Sequence, residues 1–213
     1  MTESATLSPP MPSAARFLPF LSIQNWLDSK LADELLAYAI QNENRFKTSA
    51  VLYNGNRKID HDIRYSSVLS NIGPFEEGLT TAALVVQPTL EKAFGVPAFT
   101  TGKIEIELAA HSDGAHFQRH IDTFVVLNKS PSPRVLTLVL YLNRRPRAFT
   151  GGAIRMYALN GTEVKDIDPE HNLLVAFPSF APHSVERVNL PGSNFADRRF
   201  AINIWLHRAA SII

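Results

Sequence analysis

Arg199-Phe200-Ala201-Ile202-Asn203-Ile204-Trp205-Leu206 alternates with a period of two, so Phe200, Ile202, Ile204 and Leu206 share one face of a strand while Arg199, Ala201, Asn203 and Trp205 share the other. The apolar face suits packing beneath helices. The opposite face carries Arg and Asn, which reads as a ligand cavity inside a closed sheet and as a solvated face on an open one. Upstream, Ile104, Ile106 and Leu108 alternate with Lys103, Glu105 and Glu107, and the acid-bearing face reads as solvated. Strand-like runs follow at Val135 to Leu142, Ala153 to Tyr157, Leu173 to Phe177 and Val185 to Val188, punctuated by Gly, Pro and Asn.

Before Gly102 the period is 3.6 rather than 2. Asp28 to Asn42 places Leu31, Leu35, Leu36, Tyr38 and Ala39 at helical spacing, with Asp28 or Ser29 available as the N-cap. A second helix is expected from Phe75 to Phe94, ended or kinked at Pro88. Between them, Asn54-Gly55-Asn56 reads as a turn after a strand, and Asp60 to Ser67 as an irregular segment. Helices followed by seven or eight strands make an α+β order, mainly β, with the strands in a sandwich or barrel. The 213 residues, 45% of them apolar, suffice for one domain. The Ser-, Thr- and Pro-rich residues 1–15 read as a flexible tail and 16–213 as the single domain, with a helical lead-in over about 16–100 and a strand-rich core over about 101–208.

Composition removes several function classes. A net charge of +1 without a basic run gives no footprint for nucleic acid or an anionic membrane. With no cysteine there is no disulfide, thiolate zinc site, iron–sulfur cluster or cysteine nucleophile, so any metal is held by imidazole and oxygen. No apolar run reaches the roughly 18 to 20 residues of a membrane span, and the N-terminus lacks a basic leader and an apolar stretch, so the cytoplasm is the expected location.

The tightest histidine cluster is His116-Phe117-Gln118-Arg119-His120-Ile121-Asp122. Read on a helix, His116 and His120 share a face, but the metalloprotease pattern needs Glu where Phe117 stands. Read on a strand, His120 and Asp122 point the same way and offer one imidazole and one carboxylate to a metal. His183, in Pro182-His183-Ser184-Val185, is the candidate third ligand. Two His and one carboxylate make the facial set of non-haem iron(II) oxygenases, whereas surface or hydrogen-bonded histidines are the bland reading of so short a pattern. His61, His171 and His207 have no partner motif and read as surface residues.

From Ile104 to Trp205 the chain resembles the prolyl 4-hydroxylase-like group of iron(II) and 2-oxoglutarate dependent oxygenases. The resemblance rests on an ordered string: Gly114-x-x-Phe117-x-x-His120-x-Asp122, Leu136 to Asn143, Gly151-Gly152-Ala153-Ile154-Arg155, Leu174-Val175-Ala176-Phe177, Pro182-His183-x-Val185, and Arg199-Phe200-Ala201-Ile202-Asn203-x-Trp205. It implies a double-stranded β-helix (jelly-roll) core with the N-terminal helices packed on its larger sheet. It further implies that His120, Asp122 and His183 bind Fe(II), that Arg199 clamps the remote carboxylate of 2-oxoglutarate, and that Tyr141 assists it. The implied reaction consumes 2-oxoglutarate and O2, releases succinate and hydroxylates a C–H bond of a prolyl, peptidyl, amino-acid or other small-molecule substrate. Asp122 sets the chain apart from halogenating relatives, in which that ligand is missing. Arg198 competes with Arg199 for the clamp, and strand parity favours Arg199.

Where many members have Tyr nine residues before the first ligand, this chain has His111. Arg64 and Arg155 are candidates for substrate contact, and Tyr53 to Ser67 and Phe124 to Arg134 are candidate recognition segments. Two other classes remain beside the oxygenase: a non-catalytic cupin-like module that binds a small acid, and a His/His/Asp zinc hydrolase.

Overall fold

The computed structural model describes residues 17–53, 56–123 and 132–210. The expected tail, the centre of the Asn54-Gly55-Asn56 turn and most of the Phe124 to Arg134 segment lie outside them. Two helices, α1 (Ser29–Gln41) and α2 (Glu76–Phe94), interleave with the first six strands: β1 (Leu21–Gln24), β2 (Lys47–Thr48), β3 (Val51–Tyr53), β4 (Asn56–Lys58), β5 (Arg64–Tyr65) and β6 (Ser67–Leu69). The strand-rich part comprises β7 (Thr101–His111), β8 (His116–His120), β9 (Arg134–Leu142), β10 (Thr150–Gly151), β11 (Ile154–Tyr157), β12 (Val164–Ile167), β13 (Leu173–Pro178), β14 (His183–Val185), β15 (Val188–Asn189) and β16 (Arg199–Arg208).

Asp28 caps α1, its Oδ1 accepting from the backbone N–H of Lys30 at 2.9 Å. Asn172, at φ 59°, docks that end of the helix on the sheet: its side chain accepts from the Leu27 N–H and donates to the Leu27 carbonyl. Helix α2 does not end at Pro88 but runs on to Phe94. Pro88, Leu84 and Val85 are exposed, so water satisfies the carbonyl that the missing N–H leaves free.

A seven-stranded sheet, ordered β1-β13-β9-β16-β7-β6-β2, faces a five-stranded one, ordered β12-β11-β14-β8-β5. All the pairings recorded between these strands are antiparallel. This is the double-stranded β-helix, mainly β, with the helices on the larger sheet. Phe200, Ile202, Ile204 and Leu206 pack with Leu136, Leu138, Leu140 and the buried faces of α1 and α2. Truncating one of these fully buried leucines to Ala costs about 2 to 5 kcal/mol. The alternate residues Val139, Tyr141, Val175, Phe177 and Ala201 meet Ile154 and Met156 of the smaller sheet, forming a second core inside the barrel.

Two strand expectations need correction. The run Val185 to Val188 divides between β14, in the five-stranded sheet, and β15, paired only with β10. Strands β1 and β12 stand at the margins of their sheets, each paired on one side only. Glu105 and Glu107 are only partly solvated, each held by an arginine: they stand opposite Trp205 and Asn203 in the β7–β16 register and so share the barrel-facing side.

Candidate active site

Strands β8 and β14 bring the two histidines together, His183 standing opposite His120 in their register. Asp122 lies past the end of β8, so strand parity does not place it. Instead its backbone N–H donates to the Ser179 carbonyl at 2.8 Å, as does that of Thr123 at 3.1 Å, folding the segment back toward the barrel. One ligand atom from each of His120, Asp122 and His183 lies within 4.8 Å of the others.

Hydrogen bonds outside this cluster set its chemistry. His120 Nδ1–H donates to the Gln118 carbonyl at 2.7 Å and His183 Nδ1–H to the Ala181 carbonyl at 2.9 Å. Both Nε2 lone pairs therefore face the carboxylate, at 3.6 and 3.7 Å. Thr137 Oγ1 donates to Asp122 Oδ2 at 2.9 Å. Phe117 stacks on His120 at 3.6 Å between centroids, and Phe177 lies 4.6 Å from His183. Burial, with the neighbouring His120, pushes His183 down to about 4. Burial alone would raise Asp122, yet His183, His120 and Trp205 hold it well below the usual carboxylate range. At neutral pH the cluster thus pairs a neutral imidazole at His183 with an ionised carboxylate, the states a divalent cation requires. Two imidazole nitrogens and one carboxylate fit iron(II).

Deeper in the same cavity lies Arg199, 1% exposed. Its Nε donates to the Gly152 carbonyl at 2.7 Å, its Nη1 lies 3.1 Å from His111 Nδ1, and its guanidinium carbon is 4.9 Å from the Tyr141 ring centroid. No carboxylate pairs with it among the described residues; Asp197, its neighbour in sequence, binds Arg144 at 3.0 Å instead. Arg198 stacks on Phe195. Tyr141 is fully buried, and its hydroxyl, beside the Arg199 guanidinium, has no well-aligned hydrogen-bond partner among the described residues. Burial raises Tyr141 to about 12, so the hydroxyl keeps its proton and remains a donor. An unpaired buried cation is costly, and with the Tyr141 hydroxyl beside it the arrangement fits a carboxylate ligand.

The other candidates separate clearly. Arg64 lines the cavity, lies over Phe117 and binds Glu107 at 2.7 Å. Arg155 points away from the barrel and is held by Asp166 and Glu186, so it is no part of this cavity. His116 contacts the Gly114 and Asp62 carbonyls through its two nitrogens and stays outside the cluster. His61 is exposed, as expected. His171 and His207 are not surface residues. His171 packs against Asp33 and the Asn143 N–H, and His207 lies between the Ser132 carbonyl and Glu105. Histidine carries no reliable burial signal in sequence, which is why both were misread.

Sequence reasoning assigned no role to Thr137, Ser179 or Gly152. Parity would have found Thr137, which shares a β9 face with Val139 and Tyr141. Gly152 is required by contact: at φ +71°, an added Cβ would sit 2.7 Å from Arg199 Cδ.

Residues 106–207 match the family model of the 2OG-Fe(II) oxygenase superfamily. An uncharacterized PKHD-type hydroxylase of Synechocystis is 26% identical over 209 residues; the match takes in 92% of this chain but 66% of that relative's length. Among solved structures, a Pseudomonas putida prolyl-4-hydroxylase superposes with TM-score 0.64 at 20% identity, covering 89% of this chain and 92% of the other. A Trichoplax adhaerens prolyl hydroxylase, solved with a peptide fragment of the hypoxia inducible factor oxygen degradation domain, superposes with TM-score 0.68 at 22% identity, covering 89% and 83%. These two share the fold. No helix among the described residues is long and apolar enough to cross a membrane.

Proposed function

We propose that the chain is an iron(II)- and 2-oxoglutarate-dependent dioxygenase that hydroxylates a C–H bond of a peptidyl or small-molecule substrate. The observation that carries this reading is Arg199, a buried cation without a counter-ion among the described residues, set beside the Tyr141 hydroxyl in the cavity that holds the His120, Asp122 and His183 cluster.

His120, Asp122 and His183 are the proposed ligands of iron, and Arg199 and Tyr141 the proposed partners of the remote carboxylate of 2-oxoglutarate. Iron bound there, with 2-oxoglutarate and O2, supplies the oxidation: one oxygen atom goes to the succinate formed with loss of CO2, and the other to the substrate. The protein's share is to place and to shield. Thr137 and the His120 and His183 Nδ1–H bonds fix the ligand atoms, while Phe117 and Phe177 wall the imidazoles from water. Arg199 and Tyr141 supply aligned donors at the far end of the cavity, and Val139, Ile154 and Ala201 give its walls apolar surface. Arg64, which also binds Glu107, is a candidate on the cavity lining for substrate contact. The peptide bound by the Trichoplax protein supports a peptidyl substrate here.

The test is succinate release from 2-oxoglutarate by anaerobically iron-loaded protein on admission of O2, screened across amino acids and proline-containing peptides. Release that needs iron and rises with one substrate is expected. Binding of 2-oxoglutarate without turnover under every condition points to the sensing module, and zinc-dependent ester or amide cleavage to the hydrolase.

A further inference from the structure

His111 ends β7 directly opposite Arg199, the first residue of β16. Both side chains are buried and both line the cavity. His111 Nδ1 lies 3.1 Å from Arg199 Nη1 and 3.2 Å from the Arg199 backbone oxygen. One ring nitrogen cannot serve both neighbours: it accepts from the guanidinium through its lone pair, or it donates a proton to the carbonyl. The choice fixes the tautomer.

The guanidinium decides it. Arg offers only donors, so an Nδ1–H would set two N–H groups against each other in a dry site and leave the cation without that partner. A lone pair on Nδ1 makes a charge-assisted bond with Nη1, and the carbonyl left short of a donor is the more tolerable omission. Burial first, then the positive charges of Arg199 and Arg64, lower His111 well below the ordinary histidine range, so the ring carries a single proton.

We propose that His111 is a positioning residue for Arg199, its Nδ1 accepting from Nη1 and its one N–H placed on Nε2, toward the cavity. Gly152 and His111 then hold the guanidinium from two sides, through Nε and Nη1, and the plane of the fork is set before any ligand arrives. The preorganised guanidinium serves a carboxylate, which on the reading given above is that of 2-oxoglutarate.

The test uses manganese-loaded protein and calorimetric titration with 2-oxoglutarate, beside nitrogen NMR of the histidine rings. His111→Asn keeps an acceptor near the Nδ1 position and should bind within about fivefold of wild type. His111→Phe keeps ring bulk without the acceptor and should bind about ten- to a hundredfold more weakly, with manganese affinity unchanged. In wild type, the signal that disappears in His111→Asn should show the Nε2–H tautomer. An Nδ1–H tautomer, or a His111→Phe variant that binds 2-oxoglutarate like wild type, overturns the proposal. Should His111→Phe fail to fold, the tautomer and His111→Asn still decide. If wild type binds no 2-oxoglutarate, the oxygenase reading fails while the ligand-free NMR result judges the His111–Arg199 bond separately.

Discussion

His183 stands opposite His120 across the β8–β14 pairing, their ring centroids 4.2 Å apart, and each turns its Nε2 toward the Asp122 carboxylate because its Nδ1 is tied to a backbone carbonyl two residues earlier. The same local device on two strands produces one convergent set. The carbonyls that fix the tautomers belong to Gln118 and Ala181, so substitutions of those side chains leave the arrangement intact.

Removing a ligand and removing its support should differ in degree. Asp122→Ala is expected to weaken metal binding by at least about a hundredfold. Thr137→Val, which loses only the hydrogen bond to Oδ2, is expected to weaken it by about tenfold. Titration of each folded variant with manganese checks both.

Gly152→Ala should spare the metal and damage the anion pocket. The new methyl group meets Arg199 Cδ at 2.7 Å, and the left-handed φ of +71° adds strain of about 1 to 3 kcal/mol. A lowered Tm, near-normal manganese binding and weak 2-oxoglutarate binding are expected together.

Arg155→Ala should leave both binding activities unchanged. Arg155 bonds Asp166 and Glu186 on the outer face of β11, and losing these surface pairs costs about 1 kcal/mol or less. Parallel titrations of the variant with manganese and 2-oxoglutarate check this.

Glu105 should make stability depend on pH. Burial opposes its charge, but Lys103, Arg134 and His207 outweigh burial and lower it from 4.5 to about 2. A carboxyl lowered by folding contributes stability that is fully present above its ordinary value and lost as pH falls toward the folded one. Glu105→Gln should therefore lower Tm at pH 7, and the gap from wild type should close between about pH 4.5 and 2, as thermal melts across that range will show.

Much of this architecture was legible because period-2 alternation reports which face of a strand is dry. Arg199 to Leu206 read correctly on both faces, and Asp28 was a legible cap for α1. The same alternation misled at Glu105 and Glu107, since charged residues alternate identically on a solvated face and on the lining of a polar barrel; only pairing with Asn203 and Trp205 tells these apart. Asp122 was grouped with His120 by a strand parity that does not hold, since β8 stops at His120 and a long-range bond to Ser179 sets the carboxylate. Pro88 could not show that its side of α2 faces water. The Arg199–His111 contact joins residues 88 apart, beyond the reach of local pattern.

The central claim is that Arg199 has no carboxylate partner among the described residues because its partner is the remote carboxylate of 2-oxoglutarate. The most direct measurement is calorimetric titration of manganese-loaded wild type, Arg199→Leu and Arg198→Leu with 2-oxoglutarate under anaerobic conditions. Losing a charge-assisted pair in a dry pocket costs about 2 to 4 kcal/mol, so Arg199→Leu should bind roughly thirty- to a thousandfold more weakly, with manganese affinity retained and Arg198→Leu like wild type. Equal 2-oxoglutarate affinity in wild type and Arg199→Leu, or a loss confined to Arg198→Leu, would contradict the account.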